Sequence, residues 1–153
     1  MPRTIATNTG VDREGLLEFV RPRHHMILLT RRRDGGVQAS PVTAGVDAEG
    51  RVVVATYPER AKAANVARHP AASVVVLSDE FGGAWVQVDG DAELLTLPEA
   101  LDPLADYFRS VSGEHPDWAE YRQAMLDQGK ALIRITPTRW GPIATGGFPA
   151  RLG

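Results

Sequence analysis

The sequence predicts a small, mainly β protein: an antiparallel barrel of six strands with a few helices outside it. Three observations carry that expectation. Short apolar or β-branched runs recur along the chain, bounded by turn residues. Asp34-Gly35-Gly36 and Asp47-Ala48-Glu49-Gly50 make hairpins the natural connections. Apolar residues at helical spacing are concentrated in two segments of the second half, which suits helices packed outside a sheet.

Residues 1–11 read as a flexible N-terminal arm and 12–153 as a single domain. Asp12 can cap a helix from Arg13 to Val20, ending before Pro22. His25 to Thr30 is the first strand. Val37 to Val46 is the second, and Pro41 within it marks an edge or a bulge. Arg51 to Thr56 is the third strand, and a helix runs from Glu59 to the stop at His69-Pro70. Ala72 to Leu77 is a continuous apolar run, hence a buried strand. Trp85 to Leu94 alternates small or apolar residues with larger polar ones, as a strand with two different faces does. Gly90 in its middle predicts a bulge or the close approach of another backbone.

Leu101, Leu104, Ala105 and Phe108 give Pro98 to Ser112 a helical period, which Gly113 ends. Asp117 to Asp127 is a further helix with Trp118, Tyr121, Met125 and Arg122 near one face. Such residues suit a core or a dimer interface. Ala131 to Thr136 is the last strand, and the tail from Pro137 reads as irregular.

The chain has 153 residues, of which 43% are hydrophobic, enough for a real core. A net charge of −2 gives no global basic field for nucleic acid. The basic run Arg31-Arg32-Arg33 abuts a turn and reads as a solvated hairpin end. No apolar stretch approaches the ~20 residues of a membrane span, and no signal-peptide core is present. The expected location is the cytoplasm. The absence of cysteine removes disulfide and thiolate chemistry. His24 and His25 would point to opposite faces of a strand, so no metal site is expected. Neither a nucleophile elbow nor a G-x-G-x-x-G turn occurs.

Residues 51–66 carry the most specific signal. A β-branched strand leads through Pro58 into an alanine-rich helix whose first turn holds Arg60 and Lys62. Cations are disfavoured there by the helix dipole. A bound anion offsets that cost, because free backbone amides and two cations converge on it. In isolation an R-x-K pair is a solvated basic turn; the strand-to-helix setting favours a phosphate site.

Three segments together resemble the split β-barrel flavin and deazaflavin superfamily, whose fold is FMN-binding-like and whose members include pyridoxamine-phosphate oxidases. They are Gln38-Ala39-Ser40-Pro41-Val42, Arg60-Ala61-Lys62-Ala63-Ala64-Asn65, and Gly113-Glu114-His115-Pro116-Asp117-Trp118-Ala119-Glu120-Tyr121-Arg122-Gln123-Ala124-Met125. The last resembles the actinobacterial branch that uses the deazaflavin coenzyme F420. The resemblance runs from about Asp12 to Thr136.

It implies that Arg60, Ala61 and Lys62 bind the cofactor's phosphate and that Asn65 fixes the helix or meets the ligand. Gln38, Ser40, Pro41 and Val42 would line the tricyclic ring, and Ala55 and Thr56 would contact the ring or its ribityl chain. Trp85 and Trp140 are candidates for the pocket wall. The cofactor would lie between the subunits of a homodimer. The implied activity is hydride transfer from reduced F420 to a conjugated acceptor such as an enone, a quinone or biliverdin. The alternatives are an FMN-dependent oxidoreductase, a non-catalytic deazaflavin-storage protein and a small-ligand sensor. One departure counts against pyridoxamine phosphate oxidation. The C-terminal Arg-x-Ala-Pro of those oxidases is replaced here by Phe148-Pro149-Ala150-Arg151-Leu152-Gly153.

Overall fold

The computed structural model describes residues 6–152. Its centre is an antiparallel sheet built from β2 (His25–Arg31), β3 (Val37–Thr43), β4 (Gly45–Val46), β5 (Val52–Thr56), β6 (Ala71–Val76), β7 (Val86–Leu95) and β8 (Ala131–Trp140). The spatial order is β3-β2-β6-β7-β8-β5-β4. The two ends of that order, β3 and β4, are one stretch of chain bent at Ala44. The sheet therefore curls until its edges meet in a single segment. Ala44 is buried, and His24 pins it from both sides: the Ala44 amide donates to the His24 carbonyl at 2.8 Å, and His24 Nδ1 donates to the Ala44 carbonyl at 2.8 Å.

Helix α1 (Arg13–Val20) is capped by Asp12, whose Oδ1 accepts from the Gly15 amide at 2.8 Å. It plugs one end of the barrel with Leu16, Leu17 and Val20. Helix α2 (Ala61–Arg68) contributes Val66 to the same interior, where Met26, Leu28, Val52, Val54, Val74, Val76, Val88 and Ile133 meet. A second cluster lies outside the sheet. There Val53 and Leu132 pack against Leu104 and Ala105 of α3 (Leu101–Ser112) and Tyr121 and Met125 of α4 (Trp118–Gln128). Strand β5 and the first three residues of β8 are thus buried on both faces, which is why Val52–Ala55 and Ala131–Ile133 read as unbroken apolar runs rather than alternating ones.

Gly90 meets the prediction made for it. The β7–β8 register shifts between Asp89 and Gly90, and a Cβ at Gly90 would lie 2.2 Å from the Thr136 carbonyl oxygen. Pro41 lies on the edge strand β3.

Three expectations need correction. The N-terminal arm is not loose throughout: Thr7–Thr9 forms β1, paired with β9 (Ile143–Thr145). Residues 1–5 of that arm lie outside the described residues. The tail from Pro137 is not irregular at its start, because β8 continues to Trp140 against β7 before β9 and a final 3-10 turn, Ala150–Leu152. The α3 helix begins at Leu101 rather than Pro98.

The outer face of β3, β2 and β6 carries Ala39, Pro41, Ile27, Leu29 and Val75 in adjoining register, with Val37 at 43% exposure. These residues are half-buried or exposed. No helix in the described residues is long and apolar enough to cross a membrane.

Candidate cofactor site

The bend at Ala44 creates the site. Strand β4 pairs with β5 only through Gly45 opposite Val53 and Val46 opposite Val52. Continued, that ladder would set Thr43 and Val42 against Ala55 and Thr56. Instead the chain from Thr43 back to Val37 pairs with β2. Among the described residues one edge of β3 and the matching edge of β5 from Val54 to Thr56 are left without a strand partner, and the sheet is split between them. Unpaired strand edges present amides and carbonyls to whatever enters.

Two hydroxyls border this split with nothing to bond. Ser40 Oγ on β3 and Thr56 Oγ1 on β5 are buried and make no hydrogen bond among the described residues. Ser40 is in register with Leu28, and Thr56 shares the inner face of Val52 and Val54. An unmet buried hydroxyl costs about 1–3 kcal/mol.

Helix α2 begins just beyond Thr56. Its N-cap is Arg60, which supplies no side-chain cap, so no capping side chain meets the first-turn amides. Arg60 and Ala61 are exposed and Lys62 is half-buried. Neither cation pairs with a carboxylate among the described residues. Burial, with the neighbouring Arg60 charge adding to it, pushes the Lys62 ammonium below its usual range. Two like charges at a positive helix end, that of Lys62 partly desolvated, form an arrangement that an anion relieves.

Asn65 holds this helix in place. Buried on the barrel side, its Nδ2 donates to Thr30 Oγ1 at 3.1 Å, and its Oδ1 accepts from Arg68 at 3.3 Å. The same Arg68 guanidinium donates to the Arg31 carbonyl. Thr30 Oγ1 in turn donates to Gln38 Oε1 at 3.5 Å. This chain of polar groups ties α2 to β2 and the edge strand.

The remaining sequence candidates are placed separately. Pro41 and Val42 line a shallow depression of about 250 Å³, with Val42 packed on the barrel core. Ala55 faces away from Thr56, into a cup of about 380 Å³ beneath α3 and α4. Trp140 donates to the Val11 carbonyl at 2.9 Å and packs on the barrel core. Trp85 donates to the Gly146 carbonyl at 2.9 Å and stacks on Phe148.

Sequence reasoning missed Thr30, Tyr107 and Lys130. Tyr107 of α3 donates to the Thr43 carbonyl at 2.8 Å, at the end of β3 beside the bend. Lys130 lies 4.2 Å over the Tyr57 ring, in the loop that leads to α2. Thr30 gives no sequence signal, because its partner is 35 residues away.

The Gly113–Met125 segment does a different job. Glu114 accepts from Arg109 Nε at 2.9 Å and from Trp118 Nε1 at 3.0 Å. The Trp118 bond, then Arg109, holds its carboxyl below the usual range. His115 Nδ1 accepts from the Asp117 amide, and Asp117 caps α4 through the Glu120 amide at 3.1 Å. Phe108 packs against His115, Trp118 and Tyr121 with centroids 5.1, 5.9 and 5.0 Å apart. Tyr121 donates to the Leu104 carbonyl at 2.8 Å, and burial pushes its phenol up to about 12. The segment locks α3 to α4. Among the described residues no three His, Asp or Glu side chains converge as a metal site would require.

Residues 13–144 match the family model described as pyridoxamine 5'-phosphate oxidase. Among solved structures, the chain is similar to a conserved hypothetical protein from Mycobacterium tuberculosis, with a TM-score of 0.73 at 20% identity over 92% of this chain and 89% of that one. It is similar to an F420 reductase, with a TM-score of 0.59 at 20% identity over 92% and 98% of the two chains. It is also similar to HutZ, the heme storage protein from Vibrio cholerae, with a TM-score of 0.65 at 18% identity over 89% and 98%. At these identities the solved structures establish the fold.

Proposed function

The chain belongs to the pyridoxamine 5'-phosphate oxidase family, and on that premise we propose that it is a reductase that uses the deazaflavin coenzyme F420 to reduce a conjugated small-molecule acceptor. The observation that carries this reading is the split itself. Among the described residues the facing edges of β3 and β5 lack a strand partner, a buried hydroxyl on each lacks a hydrogen bond, and the helix start that follows β5 carries two cations without a carboxylate. A phosphate-bearing heteroaromatic ligand answers all three.

Arg60 and Lys62 would hold the phosphate, with the first-turn amides of α2 donating to it. Ser40 and Thr56 would bond the polar edge of the ring or its ribityl chain. Val42, on the same face of β3 as Ser40, offers an apolar wall, and Pro41 and Ala55 flank the two edges on the outer face. Asn65, tied to Thr30, positions the helix rather than touching the ligand. When bound, reduced F420 supplies a two-electron hydride. The chain's own part is to orient, to exclude water and to hold charge. The apolar outer face of β3, β2 and β6 beside Pro41 is suited to a second copy, and a homodimer would close the cleft from that side.

The choice of F420 over FMN rests on the Gly113–Met125 resemblance and on the missing Arg-x-Ala-Pro end. The F420 reductase among the structural neighbours is consistent with it. The test is oxidation of reduced F420 by a naphthoquinone, followed by absorbance, with reduced FMN as the parallel donor. Turnover with F420 and loss of turnover in Lys62→Ala are expected. Turnover with FMN alone would reassign the cofactor, and no binding of either would remove the reading.

A further inference from the structure

We propose that the cup between β5, α3 and α4 is a second binding site, and that it takes a compact aromatic anion of one or two rings, anchored by Lys130. It deepens the reductase reading by giving the class of acceptor, and it rests on that reading only for the acceptor role.

The cup is walled by Ala55, Tyr107, Phe108, Val111, Tyr121 and Met125, with Lys130 at its rim. Its lining is mostly aliphatic and aromatic, with Ser112 and Gln128 as neutral polar members, and the hydroxyls of Tyr107 and Tyr121 are already committed to the Thr43 and Leu104 carbonyls. A ligand inside it therefore meets largely apolar walls, two neutral polar side chains and one charge, that of Lys130. Lys130 has no carboxylate partner among the described residues. The Tyr57 ring, 4.2 Å below, steadies the ammonium without neutralising it. Charge complementarity selects an anion.

Size selects among acceptors. At about 380 Å³ the cup lies near the lower end of the ligand-cavity range of about 300–1,000 Å³. That accommodates a naphthoquinone-sized body within the cup. Position links the cup to the split. Ala55 belongs to both, lying on the unpaired edge of β5 and in the cup wall, and Tyr107 reaches from the cup to the end of β3.

The test uses the chain without cofactor and naphthalenesulfonate as probe, read by calorimetry. Saturable binding at one site per chain is expected. Lys130→Ala should weaken it about tenfold, the effect of losing one charge-assisted contact, while leaving neutral naphthol unaffected. Ser112→Trp, at the exposed rim, should abolish binding of both. Lys62→Ala should leave both unchanged, since the phosphate site is elsewhere. Absence of saturable binding, an unchanged sulfonate affinity in Lys130→Ala, or a loss in Lys62→Ala would each overturn the assignment. F420 titration is run beside it. If F420 fails to bind and the sulfonate pattern holds, the cofactor reading falls and the cup stands; the converse pattern removes the cup alone.

Discussion

The start of α2 and the α3–α4 connection are both short, charged and rich in capping chemistry, yet they are built on opposite terms. Around Glu114 nearly every group is met. Its two carboxylate oxygens accept from Arg109 and Trp118, His115 accepts from the Asp117 amide, and Asp117 caps the helix that follows. Around Lys62 little is met. Among the described residues two cations lack counterions, the helix lacks a side-chain cap, and the hydroxyls of Ser40 and Thr56 lack partners. A segment that satisfies itself is scaffold. One that remains unsatisfied in an otherwise well-packed molecule has bonding capacity that a ligand could use, which is the basis of the proposed cofactor site.

The largest expected effect tests the scaffold side. Trp118→Ala removes a ring packed on Phe108 and Tyr121 and frees Glu114. Stability should fall by about 2–3 kcal/mol, seen as a lower denaturation midpoint. Cofactor affinity should not change. A variant of unaltered stability with lost binding would exchange the roles of the two regions.

Lys62→Ala should do the reverse. Affinity should fall by about 1.5–3 kcal/mol with the loss of a charge-assisted bond. The unliganded protein should become slightly more stable at neutral pH. The sign follows from the lowered Lys62 pKa: the folded state disfavours the charged ammonium, so its removal is a relief below the folded pKa. The gain should shrink as pH rises through that value and the lysine neutralises. Thermal melts across alkaline pH would display the convergence, and a destabilised variant would show that Lys62 has a structural partner.

Thr56→Val is smaller and of the same sense. It removes an unmet hydroxyl at constant shape, so the unliganded chain should gain about 1 kcal/mol, a rise of about 2–4 °C in melting temperature, while binding weakens. A loss of stability would mean that the hydroxyl is already bonded.

Glu114→Gln should have the smallest effect. The carboxyl titrates below its ordinary value in the folded state, so its contribution is present above the unfolded pKa and lost as pH falls through the folded one. The variant should show a shallower acid limb in a stability–pH curve, lying slightly below wild type near neutrality and converging with it in acid.

This contrast was only half legible in the sequence. Periodicity and turn chemistry placed the six main strands and the helices, because each of those signals is local. The pairing of Thr7–Thr9 with Ile143–Thr145 joins ends of the chain through three-residue strands and leaves no periodic trace. The extension of β8 was hidden by Pro137, which is tolerated beside the register shift opposite Gly90. The R-x-K signal located the helix start, since a cation is out of place there whatever the fold. The split was not legible, because it depends on where Val37–Val46 changes partners. Nor was the role of Asn65, whose partner Thr30 is set by the barrel. The Glu-His-x-Asp-Trp segment was as conspicuous as R-x-K, and only its internal bonding identifies it as scaffold.

The central claim is that the split and the start of α2 bind a deazaflavin through its phosphate. Calorimetric titration of F420 and FMN into the wild-type chain and into Lys62→Ala tests it most directly. The account predicts tighter binding of F420 than of FMN to the wild type, and a loss of about tenfold or more for both in the variant, because both carry the phosphate that Lys62 meets. Equal affinity of wild type and variant for either cofactor would contradict it.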